Sequence, residues 1–243
     1  MDDLNIQIAQ ARTKYETYLH ELQQLVDEAD QLRLKLFQVL KDALRILERR
    51  LRNRPGKPTS SYWKQYEDYW QAFLLFKERL TQTYGLFHQE HFIPSPFDRT
   101  PDDSELDDYI DEIEDTLDSY RLRRNQQQDL LTVIDVLDSI ERLRVLKIPD
   151  PPGDAGKEIY TTLTKAKSDV KQIEHSISQT LGEVGVVKIK VSLGEYPPPE
   201  MTRIVGRSED SRGDAESIAV IALNGYLWKD KLLCKADVVV TAS

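Results

Sequence analysis

Leu181-Gly182-Glu183-Val184-Gly185-Val186-Val187-Lys188-Ile189-Lys190-Val191 is where the chain changes period. On its N-terminal side apolar residues return every three or four positions, which gathers them on one face of a helix. On its C-terminal side they come in short β-branched runs bounded by Gly, Pro and Asn, the pattern of strands. The run 184–191, Ile218-Ala219-Val220-Ile221-Ala222-Leu223 and Val238-Val239-Val240 are the expected strands. The fold class that follows is α+β and mostly α. It comprises long coiled-coil-like helices and a short helical bundle, followed by a small C-terminal β-domain.

Immediately before the switch, Ile159, Leu163, Ala166, Val170, Ile173, Ile177 and Leu181 are spaced for burial along one helix. It is preceded by the loop Pro149-Asp150-Pro151-Pro152-Gly153-Asp154-Ala155-Gly156. Gly153 to Lys157 looks superficially like a phosphate-binding loop. It has two residues between the glycines where that motif has four, lacks the following Ser or Thr and has no strand before it, so that reading is set aside. Further back, Leu106, Ile110, Ile113, Leu117 and Tyr120 keep a four-three register through a densely acidic stretch. That predicts a solvated helix with a narrow apolar seam, running on through Leu130, Leu131, Ile134, Leu137 and Ile140 as far as Pro149.

Residues 93–104 read as a linker, with Pro94, Pro96 and Pro101 breaking any regular element. Before it, Tyr62, Tyr66, Tyr69, Phe73, Phe76, Leu80 and Phe87 form an aromatic stripe at helical spacing. The stripe reads as packing surface folded back on the first helix rather than as a base-stacking platform. His88 and His91 have no third histidine nearby and are read as structural. The first helix carries a sustained heptad seam: Leu4, Ile8, Ala11, Tyr15, Tyr18, Leu22, Leu25, Ala29, Leu32, Leu36, Val39, Ala43 and Ile46. Arg49 to Pro58 closes it and reads as a charged cap and turn rather than a phosphate or anionic-lipid patch, as cations in a last turn complement the macrodipole and Pro55-Gly56 stops the helix. The expected organisation is a helical hairpin over 1–92, a linker over 93–104, a long helix with a bundle over 105–182 and a β-domain over 183–243.

The net charge of the 243 residues is -9, which argues against nucleic acid as the principal partner. A single cysteine, Cys234, excludes an intrachain disulfide framework and a Cys-based zinc cluster. The acidic start, Met1-Asp2-Asp3-Leu4-Asn5, has no apolar signal core, and no run is long enough to span a membrane. A cytoplasmic location is expected.

Three segments, in order, carry a family resemblance. Leu130-Leu131-Thr132-Val133-Ile134-Asp135-Val136-Leu137-Asp138 is similar to the Leu-Leu-Pro-Val-Ile/Leu-Asp-x-Leu-Asp/Glu segment of GrpE. Gly194-Glu195-Tyr196-Pro197-Pro198-Pro199-Glu200-Met201 is similar to the family's Gly-Glu-Pro-Phe-Asp-Pro-Glu-Leu. Gly225-Tyr226-Leu227-Trp228-Lys229-Asp230-Lys231-Leu232-Leu233-Cys234-Lys235-Ala236-Asp237-Val238-Val239-Val240 aligns with Gly-Tyr-x-Leu-x-Gly-Arg-x-Leu-Arg-Pro-Ala-x-Val-x-Val. The region from about residue 105 to 242 thus resembles a diverged GrpE, the nucleotide-exchange factor of DnaK-type chaperones. Thr202-Arg203-Ile204-Val205 stands where the family has His-Glu-Ala-Val, and residues 1–100 have no counterpart in it.

The resemblance implies a dimeric co-chaperone that wedges its β-domain into the nucleotide-binding domain of a DnaK-type chaperone so that ADP leaves. No enzyme chemistry, cofactor or metal is implied. By position, the chaperone contacts are Met201 and Arg203 in a loop, Ala222, Leu223 and Asn224 in a strand, and Lys229 and Lys231 at a hairpin tip. Dimerisation would use Leu130, Leu131, Ile134, Leu137 and Ile140 with Leu163, Val170 and Ile173. The N-terminal helices would offer a surface to a further protein partner. The competing expectation is a GrpE-fold coiled-coil scaffold that has lost exchange activity.

Overall fold

The computed structural model describes residues 2–52, 62–88, 101–102, 104–121, 124–150, 157–209 and 214–242. The Pro-Gly turn at 55–56, the linker as far as residue 100, His91 and the loop at 151–156 lie outside them. Five helices and six strands follow in order. The helices are α1 (Asp2–Arg52), α2 (Tyr62–His88), α3 (Leu106–Arg121), α4 (Arg124–Val145) and α5 (Lys157–Glu183). The strands are β1 (Val186–Lys188), β2 (Thr202–Ser208), β3 (Ile218–Leu223), β4 (Tyr226–Trp228), β5 (Lys231–Cys234) and β6 (Ala236–Thr241). The architecture is the mostly helical α+β one that the periodicity predicts.

The chain divides into two compact units, Met1–Lys35 with Phe87–Asp129, and Leu36–Leu86 with Leu130–Ser243. In the first, the early part of α1 packs on α3. Tyr15 and Leu22 form one apolar cluster with Leu106, Ile110, Ile113 and Leu117, and Tyr18, Leu25 and Tyr120 lie against it. The four-three spacing of both sets makes this a seam of the coiled-coil kind. Polar pairs flank it with a fixed offset of 100 residues. Lys14 Nζ donates to Glu114 at 3.3 Å, and Arg121 donates through Nε and Nη2 to Glu21 at 2.9 and 2.8 Å. A constant offset means that the two helices run parallel. Exposed pairs of this sort stabilise little, but they penalise a slipped register.

In the second unit the later part of α1, α2, α4 and α5 share an apolar interior with Leu36, Leu40, Leu47, Tyr66, Phe73, Phe76, Leu80, Leu130 and Ile140 fully buried. Phe37 of α1 stacks on Tyr84 of α2 with ring centroids 5.1 Å apart. Arg50 Nε donates to Asp169 Oδ2 at 2.6 Å, tying α1 to α5, and Arg79 pairs with Asp135 at 2.8 Å, tying α2 to α4. Arg144–Glu174 and Lys167 Nζ to the Leu146 carbonyl fix α4 and α5 antiparallel.

Two three-stranded sheets make the β-domain, in the orders β1-β4-β5 and β2-β6-β3. The first is antiparallel throughout; in the second, β2 runs parallel and β3 antiparallel to the central β6. Ile218, Ala236, Val238 and Val240 form the core of the second sheet, with Val191 and Ile221 packed against it. Two sequence expectations change. The strand expected over 184–191 is ordered as β1 for only Val186–Lys188. Arg203, expected in a loop, stands in β2, because β6 gives Thr202-Arg203-Ile204 a ladder to join, while Met201 lies in the turn just before the strand. Residues 122–123 lie outside the described set, so the single long helix expected from 102 to 148 is described as α3 and α4.

Candidate functional site

α4 and α5 form the mount for the β-domain. Tyr226 and Trp228 of β4 are buried, and the Trp228 indole N–H donates to the Val184 carbonyl at 3.0 Å. Asn224 is buried too, and its side-chain amide donates to Glu141 Oε1 on α4 at 2.5 Å. Lys188 of β1 approaches the same carboxylate at 3.5 Å. A void of about 170 Å³ between these elements is bounded by Leu137, Glu174, Leu181, Val186 and Tyr226. Burial, with Asp138 and Glu141 nearby, pushes the Tyr226 hydroxyl well above the ordinary phenol range. Asp138 sits in the same region, and its Oδ1 is buried without a hydrogen-bond partner. Burial first, then the adjacent Glu141 and Asp135, push its carboxyl up to about 6.

Gly225 sets the geometry of this corner. A Cβ there would run into the backbone nitrogen of Ala236 and lie 2.9 Å from the Lys235 carbonyl carbon. Its own carbonyl accepts from the Ile189 amide at 2.8 Å. The Gly-Tyr pair seen in the sequence is therefore a close backbone crossing followed by its packing aromatic. At the other end of β4, Lys229 and Asp230 have φ of 48° and 64°. Two successive left-handed residues close the β4–β5 hairpin in the manner of a type I′ turn.

The outer face of the β2-β6-β3 sheet is open. Arg203, Asp237 and Leu223 stand in one cross-strand row, and Gly206, Val239 and Val220 in another on the same side. Arg203 forks onto Asp237, Nε to Oδ1 at 2.7 Å and Nη2 to Oδ2 at 2.8 Å. The Asp237 side chain is 9% exposed while that of Arg203 is 68% exposed, so the guanidinium presents its remaining face outward. Leu223 borders a groove of about 360 Å³ whose other walls include Leu75, Phe76 and Arg79 of α2 and Asp138 and Leu143 of α4.

The expected chaperone contacts thus separate into groups. Met201, Arg203, Ala222, Lys229 and Lys231 are exposed and Leu223 is half-buried. Asn224 differs: it is buried, and its amide donates to Glu141. Lys229 places its ammonium 5.6 Å from the Trp228 ring centroid. Sequence reasoning missed the apolar part of the surface. Val187, Leu193, Tyr196, Ile204, Val205, Val220 and Leu232 are all exposed. The signal was present, since β-branched residues next to Arg203 suit an edge strand as well as a core one. Of the residues expected to dimerise, Leu130, Ile134, Leu137, Ile140, Leu163, Val170 and Ile173 are buried within the single chain, and Leu131 is half-buried.

Cys234 is half-buried beside Tyr226, and burial pushes its thiol up, away from a reactive thiolate. Among the described residues no group of His, Cys, Asp or Glu is arranged to hold a metal, and no helix is long and apolar enough to cross a membrane.

Neither the curated proteins nor the solved structures yielded a match to the chain. The family model for GrpE matches residues 103–242, from the start of the α3 segment to the end of β6. That match covers more than half of the 243 residues and all three motif segments, and the chain belongs to the GrpE family, a family of non-enzymatic co-chaperones of DnaK-type proteins.

Proposed function

We propose that this protein is a nucleotide-exchange factor that speeds ADP release from a DnaK-type chaperone, and that the open face of its β-domain makes the contact. The observation that carries this reading is the concentration of exposed apolar side chains there. Met201, Ile204 and Val205 in and just before β2, and Val220 of β3, are exposed, as is the side chain of Arg203 on the same edge strand. Exposed apolar side chains beside a charged anchor favour a protein-binding surface. No bond need be made or broken. An exchange factor has only to bind the open nucleotide cleft more tightly than the closed one, and the difference in affinity sets the acceleration.

The test is ADP release from a cognate DnaK-type chaperone, followed with a fluorescent nucleotide with and without this protein. Faster release is expected, weakened by Lys231→Glu and by Arg203→Gln. The glutamine avoids setting a second carboxylate against Asp237. A scaffold that binds without exchanging is the other reading, favoured by Thr202-Arg203-Ile204-Val205 in place of the family's His-Glu-Ala-Val and by the capture of Arg203 by Asp237. Unchanged release at saturating protein would establish it.

A further inference from the structure

The groove bordered by Leu223 is built partly from outside the family match. That match begins at residue 103, whereas Leu75, Phe76 and Arg79 in the groove belong to α2. α4 contributes Asp138, Ser139 and Leu143, and β3 contributes Leu223. All of these residues lie in the second compact unit. The groove is therefore something that the N-terminal half adds to the family's fold.

Two of its residues are incompletely satisfied. Leu75 is 65% exposed, and Asp138 has its Oδ1 buried without a hydrogen-bond partner. The other carboxylates around Asp138 are all engaged. Asp135 holds Arg79 at 2.8 Å, Glu141 holds Asn224 and Lys188, and Asp237 holds Arg203. Arg142, one turn along α4, eases the charge on Asp138, but burial with Glu141, Asp135 and Asp237 outweighs it. A carboxylate in a negative field beside apolar walls is complementary to a cation on an aliphatic stem. A lysine or arginine side chain lays its methylenes along leucines such as Leu75 and Leu143 and brings its charged head to the acid. A metal ion fits less well, because among the described residues no group of His, Cys, Asp or Glu is arranged to hold one.

The source of that side chain follows from what the groove adjoins. Leu223, Asp237 and Arg203 share one cross-strand row, so the groove borders the sheet face assigned above to the chaperone. A second copy of this chain would bring a net charge of -9 to a site that is already acidic. We propose that the groove formed by α2, α4 and β3 receives a lysine or arginine side chain of the DnaK-type chaperone, with Asp138 as its counter-ion and Leu75 as an apolar wall. This rests on the reading that the β-domain face contacts that chaperone. It gives α2 a role in selectivity: chaperones with a basic side chain at this point of the contact are preferred over those without one.

Titration calorimetry of the full chain against a cognate DnaK-type chaperone tests the assignment. Leu75→Lys sets a competing cation at the groove, and Asp138→Asn removes the counter-ion. At pH 8, where Asp138 is ionised, each is expected to weaken binding about fivefold or more. The thermal midpoint should be unchanged in the first and raised in the second, so the loss of affinity is not a loss of fold. Wild-type affinity in both variants, with binding still weakened by Arg203→Gln, overturns the groove and leaves the β-domain contact standing. No binding by the wild-type chain overturns both. Unchanged chaperone affinity with an altered sedimentation mass of the free protein would make a second copy the occupant, and that also refutes the proposal.

Discussion

The helices and the β-domain treat the same kind of residue in opposite ways. Along α3, α4 and α5 the apolar residues are turned inward, and no large one is left exposed among the described residues. On the β-domain, Val187, Leu193, Ile204, Val205, Val220 and Leu232 stay outside. A small sheet module cannot bury both faces of its strands, and these side chains are what it leaves exposed. Burial in the helices is a question of stability, whereas exposure on the sheet is available for binding. Mutations in the two regions should therefore report on different quantities.

The comparison is broken most easily from the helical side. Phe76 on α2 is 1% exposed, and Phe76→Ala should cost about 3–5 kcal/mol of unfolding free energy, read from the denaturant midpoint. A change below about 1 kcal/mol would mean that the hairpin is not part of the core. A smaller effect is expected at Asp138, where the two regions meet. Its folded-state pKa, near 6, lies above the value of about 3.9 for an unfolded aspartate. The neutral carboxyl is the form the fold prefers, so this group's contribution is fully present below about pH 4 and is lost as pH rises through 6. Asp138→Asn should then raise stability by about 1–2 kcal/mol at pH 8, after discounting for partial solvent access, and by little at pH 4. Equal effects at both pH values would contradict the assignment. The smallest effect on stability belongs to the sheet. Ile204→Asp, at a position 52% exposed, should leave the denaturation midpoint within about 0.5 kcal/mol of wild type. The same change should weaken chaperone binding at least tenfold by titration calorimetry. Loss of stability with binding intact would invert the comparison drawn above.

Much of this was legible in the sequence, and the exceptions share a cause. The α1 seam and the stripe on α5 could be read because helical burial imposes a period, and Ile159 to Leu181 keep it without error. The identity of the partner could not. A heptad seam says that another helix covers the stripe and is silent on which chain supplies it. β2 escaped because its residues 203–205 are all exposed, and a strand open on both faces shows no alternation to detect. Asn224 was expected in a strand with Ala222 and Leu223; it lies just past the end of β3, and its amide bond to Glu141, distant in sequence, could not be read from the local pattern. Gly225 and Tyr226 were read as a bend and its packing aromatic, and the close approach to Ala236 supplies the steric reason.

The strand order β2-β6-β3 has a consequence for how the domain is made. β6 follows every other strand in the chain, yet it is the one that joins β2 to β3. During synthesis β2 and β3 therefore emerge without the partner that both require, and their apolar residues wait in the open until Thr241 has left the ribosome. Pairing across that separation is slow compared with helix formation. The helical platform can be complete while the sheet is not, and the interval in between is when a nascent chain is most exposed to aggregation.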